Sequence, residues 1–172
     1  MMKSQKTEDR PHDRLRDEVV EAIPALRAYA WSLTRNQSDA DDLVQETLLK
    51  ALRHLEKFEP GSRLRAWLFT IQRNTFLSGL KVAQREPTGV DDCAPIAPAS
   101  QPTQEWTVRG RELMNAVGRL PPHYREVLVL VVMLGESYET AAQLCQITLG
   151  TVKSRVNRAR RMVIEDLGDD RL

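Results

Sequence analysis

The chain is short of the residues from which metal sites, disulfides and membrane spans are made. Cys93 and Cys145 are its two cysteines, far apart and outside any Cys-x-x-Cys pattern, and its three histidines, His12, His54 and His123, are scattered. Neither thiol has a partner at ligand spacing, so a structural metal or a disulfide is not expected, and the histidines read as surface or half-buried imidazoles. No apolar run approaches the roughly 18 residues needed to cross a bilayer. The opening Met-Met-Lys-Ser-Gln-Lys lacks a signal-peptide core, so the expected location is the cytoplasm. With no paired nucleophile and base and no Gly-rich phosphate loop, neither an enzyme nor a cofactor is expected. Net charge is scarce too: 25 Lys and Arg against 24 Asp and Glu leave +1. A bulk excess of cations therefore cannot argue for nucleic acid, and only their distribution can.

What is present is a soluble composition, 41% apolar and 28% charged over 172 residues, enough for one ordinary domain or two small ones. The cations gather. From Leu149 to Arg161 there are five of them and no acid. Wound at about 100° per residue, Leu149, Val152, Val156, Ala159 and Val163 fall on one narrow stripe, which leaves the other side free. Ser154, Asn157, Arg158 and Arg161 project from the middle of that side, flanked by Lys153, Arg155 and Arg160. Short hydrogen-bonding groups and Arg suit base edges, and flanking cations suit phosphates. Such a run also serves as a solvated helix face, but the residues before it favour DNA. Ser137 can cap a short helix through Ala141, Ala142 and Leu144, and Thr148 can cap the next, leaving a turn of about three residues as in a helix-turn-helix.

Taken in order, residues 1–12 are polar and expected to be flexible. Arg14 to Leu33 keeps helical spacing with a break or restart at Pro24. The next helix is the clearest: Ala40, Leu43, Val44, Thr47, Leu48, Ala51, Leu52 and Leu55 share a face, and Ser38 with Asp41 marks the start. Its opposite face carries Asp39, Asp41, Asp42, Gln45 and Glu46. Carboxylates near a helix N-terminus complement the macrodipole, and equally they can form a docking surface for a basic protein. Phe58 to Ser62 is a turn, and Arg63 to Lys81 a helix with Leu64, Leu68, Ile71 and Thr75 on its core side and Arg63, Thr70, Asn74 and Lys81 opposite. Aromatics interleaved with cations there suit single-stranded nucleic acid, although Trp67, Phe69 and Phe76 taken singly suit a core as well.

Residues 87–105 hold four prolines and read as a linker of net −3 between two units of net +2 each, 13–86 with the N-terminal tail and 106–172. In the second unit, Leu113, Val117 and Leu120 share a face. Pro121-Pro122 opens a helix, and Val127, Leu128, Leu130, Val131 and Leu134 make the most apolar helix, ended by Gly135. The fold class is all-α: two small helical domains joined by a flexible linker.

Four segments, in order, resemble the extracytoplasmic-function sigma factors of bacterial RNA polymerase. They are Asp39-Ala-Asp-Asp-Leu-Val-Gln-Glu-Thr-Leu-Leu-Lys-Ala-Leu-Arg, Arg65-Ala-Trp-Leu-Phe-Thr-Ile-Gln-Arg-Asn-Thr-Phe, Leu120-Pro-Pro-His-Tyr-Arg-Glu-Val-Leu and Gly150-Thr-Val-Lys-Ser-Arg-Val-Asn-Arg-Ala-Arg. Ser32-Leu-Thr-Arg-Asn and Phe58-Glu-Pro-Gly-Ser are most similar to the general-stress-response group of alphaproteobacteria. The resemblance implies region 2 at 13–86 and region 4 at 106–172. It implies that Asp39, Asp41, Asp42, Gln45 and Glu46 dock on the clamp of the polymerase's largest subunit, and that region 4 meets the flap of the second-largest. Pro60, Gly61, Ser62, Arg63, Trp67, Arg73, Asn74 and Lys81 would bind and open the −10 element of promoter DNA. Thr151, Lys153, Ser154, Arg155, Asn157, Arg158 and Arg161 would meet the −35 element. An anti-sigma protein is the implied regulator, and the linker would thread toward the polymerase active-site channel. Two positions depart from the family pattern: Gln146 stands where many relatives have Gly, which implies a strained or altered turn, and Leu77 to Gln84 is less basic than usual, which implies fewer phosphate contacts.

Two other functions fit parts of this pattern. A sigma-like module that sequesters an anti-sigma factor would have no use for the basic helix, and a repressor acting without polymerase would leave the acidic helix unexplained.

Overall fold

Among the residues that the computed structural model describes, 11–59, 63–85 and 104–168, the regular structure is wholly helical. Helices α1 (Pro11–Glu21) and α2 (Ile23–Thr34) meet at Ala22. Pro24 lies in the first turn of α2, where its missing N–H has no carbonyl to serve, so the expected break is a restart. Helix α3 (Gln37–Arg53) is capped two residues before the Ser38 expected to cap it. Asn36 is the cap, extended at φ −128° and ψ 133°, with Oδ1 accepting from the Ser38 amide at 2.8 Å and the Asp39 amide at 3.2 Å. An Asn carbonyl satisfies those two orphan donors as a Ser hydroxyl would. The helix stops at Arg53, and Leu55 starts a short 3-10 turn, Leu55–Lys57.

Helix α4 (Leu64–Arg85) completes a bundle with α2 and α3. Its core holds Leu26, Tyr29 and Ala30 from α2, Ala40, Leu43, Val44 and Ala51 from α3, and Leu64, Leu68 and Phe69 from α4. Tyr29 and Phe69 meet edge to face at 4.9 Å. Gln72 is also fully inside, its amide donating to the Leu26 carbonyl at 3.0 Å. Leu52 departs from its expected place in the buried stripe of α3: it is 50% exposed, beside Leu49 at 55%. The three-helix core covers only the arc from Ala40 to Ala51, and one further residue of helix turns Leu52 off that arc.

In the second unit α8 (Leu149–Leu167) is central, contacted by α5 (Gln104–Arg119), α6 (Pro122–Leu128) and α7 (Tyr138–Cys145). Val152, Val156, Ala159 and Val163 are buried as the stripe requires, whereas Leu149, the first residue of α8, is 37% exposed. Leu113 is 44% exposed, and Ala116 and Val117 form the inward face of α5 instead, with Leu120 buried just past its end. Pro121 and Pro122 open α6 as expected, but that helix widens into a π turn, Val129–Met133, which the apolar pattern did not announce. The Leu134 amide reaches the Val129 carbonyl at 2.9 Å, and Gly135 at φ 69° then ends the turn.

Ser137 accepts from the Thr140 amide at 3.0 Å and Thr148 from the Thr151 amide at 3.2 Å, so both caps stand where the sequence put them. Between them Gln146 is left-handed, at φ 55° and ψ 45°. A residue with a Cβ is strained there. Gln146→Gly is therefore expected to stabilise the chain by about 0.5–1 kcal/mol, net of the extra freedom glycine has when unfolded; a urea midpoint shifted downward would contradict this.

The units abut, with α2 against α6 and the π turn and α4 against α7, and their buried side chains form one continuous cluster.

Candidate nucleic-acid interface

The free side of α8 forms one wall of a cavity of about 520 Å³, and the N-terminal turn of α6 forms the other. Thr151, Ser154, Arg155, Asn157, Arg158 and Arg161 line it with His123 and Tyr124. Six of the seven side chains assigned from sequence to the −35 element therefore converge, while Lys153 is exposed outside that lining. The helix holds its polar groups in order. Thr148 and Thr151 hydroxyls lie 2.8 Å apart, and the Ser154 hydroxyl donates to the Thr151 carbonyl at 3.0 Å, leaving its oxygen free to accept. Arg158 donates from Nη1 to the Tyr124 hydroxyl at 3.1 Å, and the His123 and Tyr124 rings lie 4.1 Å apart. His123 and Tyr124 escaped the sequence reading of this face because α6 reaches it only through tertiary packing. The cavity is cationic and hydrogen-bonding throughout, with no carboxylate in its lining.

The −10 candidates divide. Pro60, Gly61 and Ser62 lie outside the described residues. Thr70, Asn74 and Lys81 are exposed along one side of α4, as is Arg63, whose Nη1 donates to the Thr140 hydroxyl at 3.3 Å. Trp67 is half-buried, its ring tilted against Phe58 at 5.5 Å. Arg63 and Trp67 line a cleft of about 680 Å³ whose far wall is Ser137, Glu139, Thr140, Gln143 and Leu144 around α7. Arg73 turns the other way. Its Nε donates to Glu126 at 2.8 Å, and the same carboxylate oxygen accepts from the Tyr29 hydroxyl at 2.9 Å. Burial and the Glu126 carboxylate push the Tyr29 phenol well above its usual value, so it stays a donor. Arg65, not singled out from sequence, donates to Glu136 at 2.7 Å and to the Leu134 carbonyl, and lies over the Phe69 ring at 5.6 Å.

On α3 the acidic residues are less uniform than their spacing suggested. Asp41 is half-buried near Arg27 at 3.6 Å, and Glu46 pairs with Lys50 at 2.7 Å. Asp39, Asp42 and Gln45 are exposed, and Asp42 and Gln45 continue along the helix into exposed Leu49 and Leu52. That makes a stripe acidic at one end and apolar at the other. Cys145 is buried, and burial with the nearby Glu126 carboxylate pushes its thiol up to about 12, which makes it inert.

Residues 19–86 match the family model described as Sigma-70 region 2, and residues 110–163 that of Sigma-70, region 4. Over 166 residues, 92% of each chain, the sequence is 46% identical to "ECF RNA polymerase sigma factor EcfG" of Rhodopseudomonas palustris (strain TIE-1). The chain belongs to the ECF sigma factors. A second relative is "RNA polymerase sigma factor CarQ" of Myxococcus xanthus, 29% identical over 94% of this sigma factor and 93% of that one. Among solved structures, the sigma factor RpoE of Bartonella quintana, in complex with the anti-sigma factor NepR, superposes with a TM-score of 0.78 at 39% identity, over 92% of this chain and 99% of that one. In the sigma factor the region 2 match thus runs from the last turn of α1 through α4, and the region 4 match from within α5 into α8. No helix among the described residues is long and apolar enough to cross a membrane.

Proposed function

We propose that this sigma factor, working in the cytoplasm, brings core RNA polymerase to promoters of a stress regulon by reading two DNA elements, with region 2 at 13–86, a linker at 87–105 and region 4 at 106–172. The observation that carries it is the cationic cavity at the α6–α8 junction. Its lining offers Ser154, Asn157 and Arg158 to bases, with Arg155 and Arg161 beside them for phosphates. On α3, Asp39, Asp42 and Gln45 with Leu49 and Leu52 provide a mixed acidic and apolar stripe for the polymerase clamp, with Asp41 and Glu46 at its margin.

Arg63, Trp67, Asn74 and Lys81, with Pro60 to Ser62 and Arg73, serve the −10 element. Opening that duplex takes a few kcal/mol per extruded base, which stacking and polar contacts in region 2 offset. Because α7 walls in Arg63 and Trp67 in this arrangement, −10 binding separates α4 from α7. The chain performs no chemistry itself; nucleotide addition belongs to the polymerase. The relative of known structure is held by an anti-sigma factor, and a partner of that class is the expected regulator here.

Run-off transcription tests the reading. Core polymerase supplied with the chain should yield transcripts from promoters that core alone ignores. Arg158→Ala should lower yield selectively where the −35 base pair it faces is intact, a discrimination of about 1–3 kcal/mol. Equal loss on every −35 sequence would remove base reading from Arg158, and no transcript from any promoter would remove the sigma assignment.

A further inference from the structure

Arg158 does not stand alone in the α6–α8 cavity. It projects from the exposed side of α8, yet its Nη1 is held by the hydroxyl of Tyr124, which belongs to a different helix, 34 residues earlier. An unrestrained Arg on a helix surface samples many rotamers and loses that freedom when it binds. One already tied in place loses less, and the gain goes to the one orientation that the tie permits.

Tyr124 is itself firmly placed. Its amide bonds the Pro121 carbonyl at 3.0 Å in the first turn of α6, its ring is half-buried, and the His123 ring lies against it at 4.1 Å. The next residue, Arg125, is buried and donates to carbonyls of Ser32, Gly118 and Leu120, which anchors α6 at that point. The phenol is thus a fixed post, and the guanidinium is the movable part. Since the bond uses Nη1, the Nε–Nη2 edge is left for two parallel hydrogen bonds to a base edge that offers two acceptors.

We infer that Tyr124 is a positioning residue for promoter discrimination: its hydroxyl, 3.1 Å from Arg158 Nη1 across the α6–α8 cavity, orients that guanidinium toward the base pair it reads. The inference rests on the base-reading role given to Arg158 above. It differs from a phosphate contact by Tyr124 itself, which would strengthen binding to every sequence alike.

The test uses the full chain with core polymerase and a promoter set in which each −35 base pair is replaced in turn. Wild type, Tyr124→Phe, Arg158→Ala and the double variant are titrated on each promoter at two salt concentrations, and thermal unfolding of each chain is recorded alongside. Tyr124→Phe keeps the ring and removes one oxygen, so its unfolding should follow wild type. The expected result is that it lowers discrimination by up to about tenfold at the same base pair that Arg158→Ala affects, with no further loss in the double variant. The salt dependence should stay at the wild-type slope, because no phosphate contact is lost.

Wild-type discrimination in Tyr124→Phe, beside a clear loss in Arg158→Ala, would overturn the positioning role and leave base reading intact. Uniform weakening by Tyr124→Phe on all promoters, with a shallower salt slope, would overturn it in favour of a phosphate contact. If Arg158→Ala itself leaves discrimination unchanged, base reading by Arg158 falls and the positioning role falls with it.

Discussion

Replacing Arg125 with Met is expected to lower the unfolding free energy by about 3–5 kcal/mol, on the scale of about 1–3 kcal/mol for each buried acceptor left without a donor. Arg125 is 1% exposed, and its guanidinium donates to the carbonyls of Ser32 at 2.7 Å, Leu120 at 2.9 Å and Gly118 at 3.2 Å. These acceptors are the unpaired carbonyls of helix ends. Ser32 lies in the last turn of α2, and Gly118 in the last turn of α5 four residues before Pro122, which has no N–H to offer. One cation at two helix C-termini also complements both dipoles. Burial, followed by repulsion from Arg35, pulls the guanidinium down to about 10, so it is still charged at neutral pH. Met fills similar volume and supplies no donor, leaving three buried carbonyls with nothing to accept. Urea unfolding followed by tryptophan fluorescence would report the loss, since Trp31 lies beside Gly118. A change below about 1 kcal/mol would mean that water replaces the guanidinium without penalty.

Arg125 also shows where the sequence stops being informative. Periodicity located the helices: α3 apart from its ends, α8 and the two caps of the helix-turn-helix stand as read, because each depends on residues within a few turns of one another. The strained turn at Gln146 came from the family resemblance, which has Gly there in many relatives, and its left-handed backbone bears that expectation out. A charged residue inside the apolar face of α6, by contrast, reads as surface until the carbonyls of α2 and α5 are brought to it, and one of those lies 93 residues away. Leu52 errs in the other direction. Its spacing is right for burial, but the described residues leave it half exposed, and an amphipathic stripe does not say how wide a partner will be. The α8 wall of the cationic cavity was legible in the sequence and the α6 wall was not, because His123 and Tyr124 arrive by tertiary packing. The π turn at Val129–Met133 left no mark in an apolar run that suits either helix type.

The largest remaining effect concerns Arg73, which the family resemblance assigns to promoter DNA and the structure ties to region 4. Its side chain is 15% exposed and that of Glu126 13%, at 2.8 Å. Arg73→Ala and Glu126→Ala should each cost about 2–4 kcal/mol, because each strands a largely buried charge. The double variant should cost little more than the worse single, a coupling of about 2 kcal/mol in a double-mutant cycle. Glu126→Ala should be the worse single, since it also leaves the Tyr29 hydroxyl without its acceptor. Additive losses would show that the pair is close without being coupled. The same variants separate the two roles of Arg73. If it meets promoter DNA once α4 parts from α7, Glu126→Ala removes its competitor, and the free chain should bind single-stranded −10 DNA several-fold more tightly, with a steeper salt dependence. If Arg73 is only a tie between regions 2 and 4, Glu126→Ala and the double variant should bind that strand equally, because loosening the contact frees Arg63 and Trp67 in both.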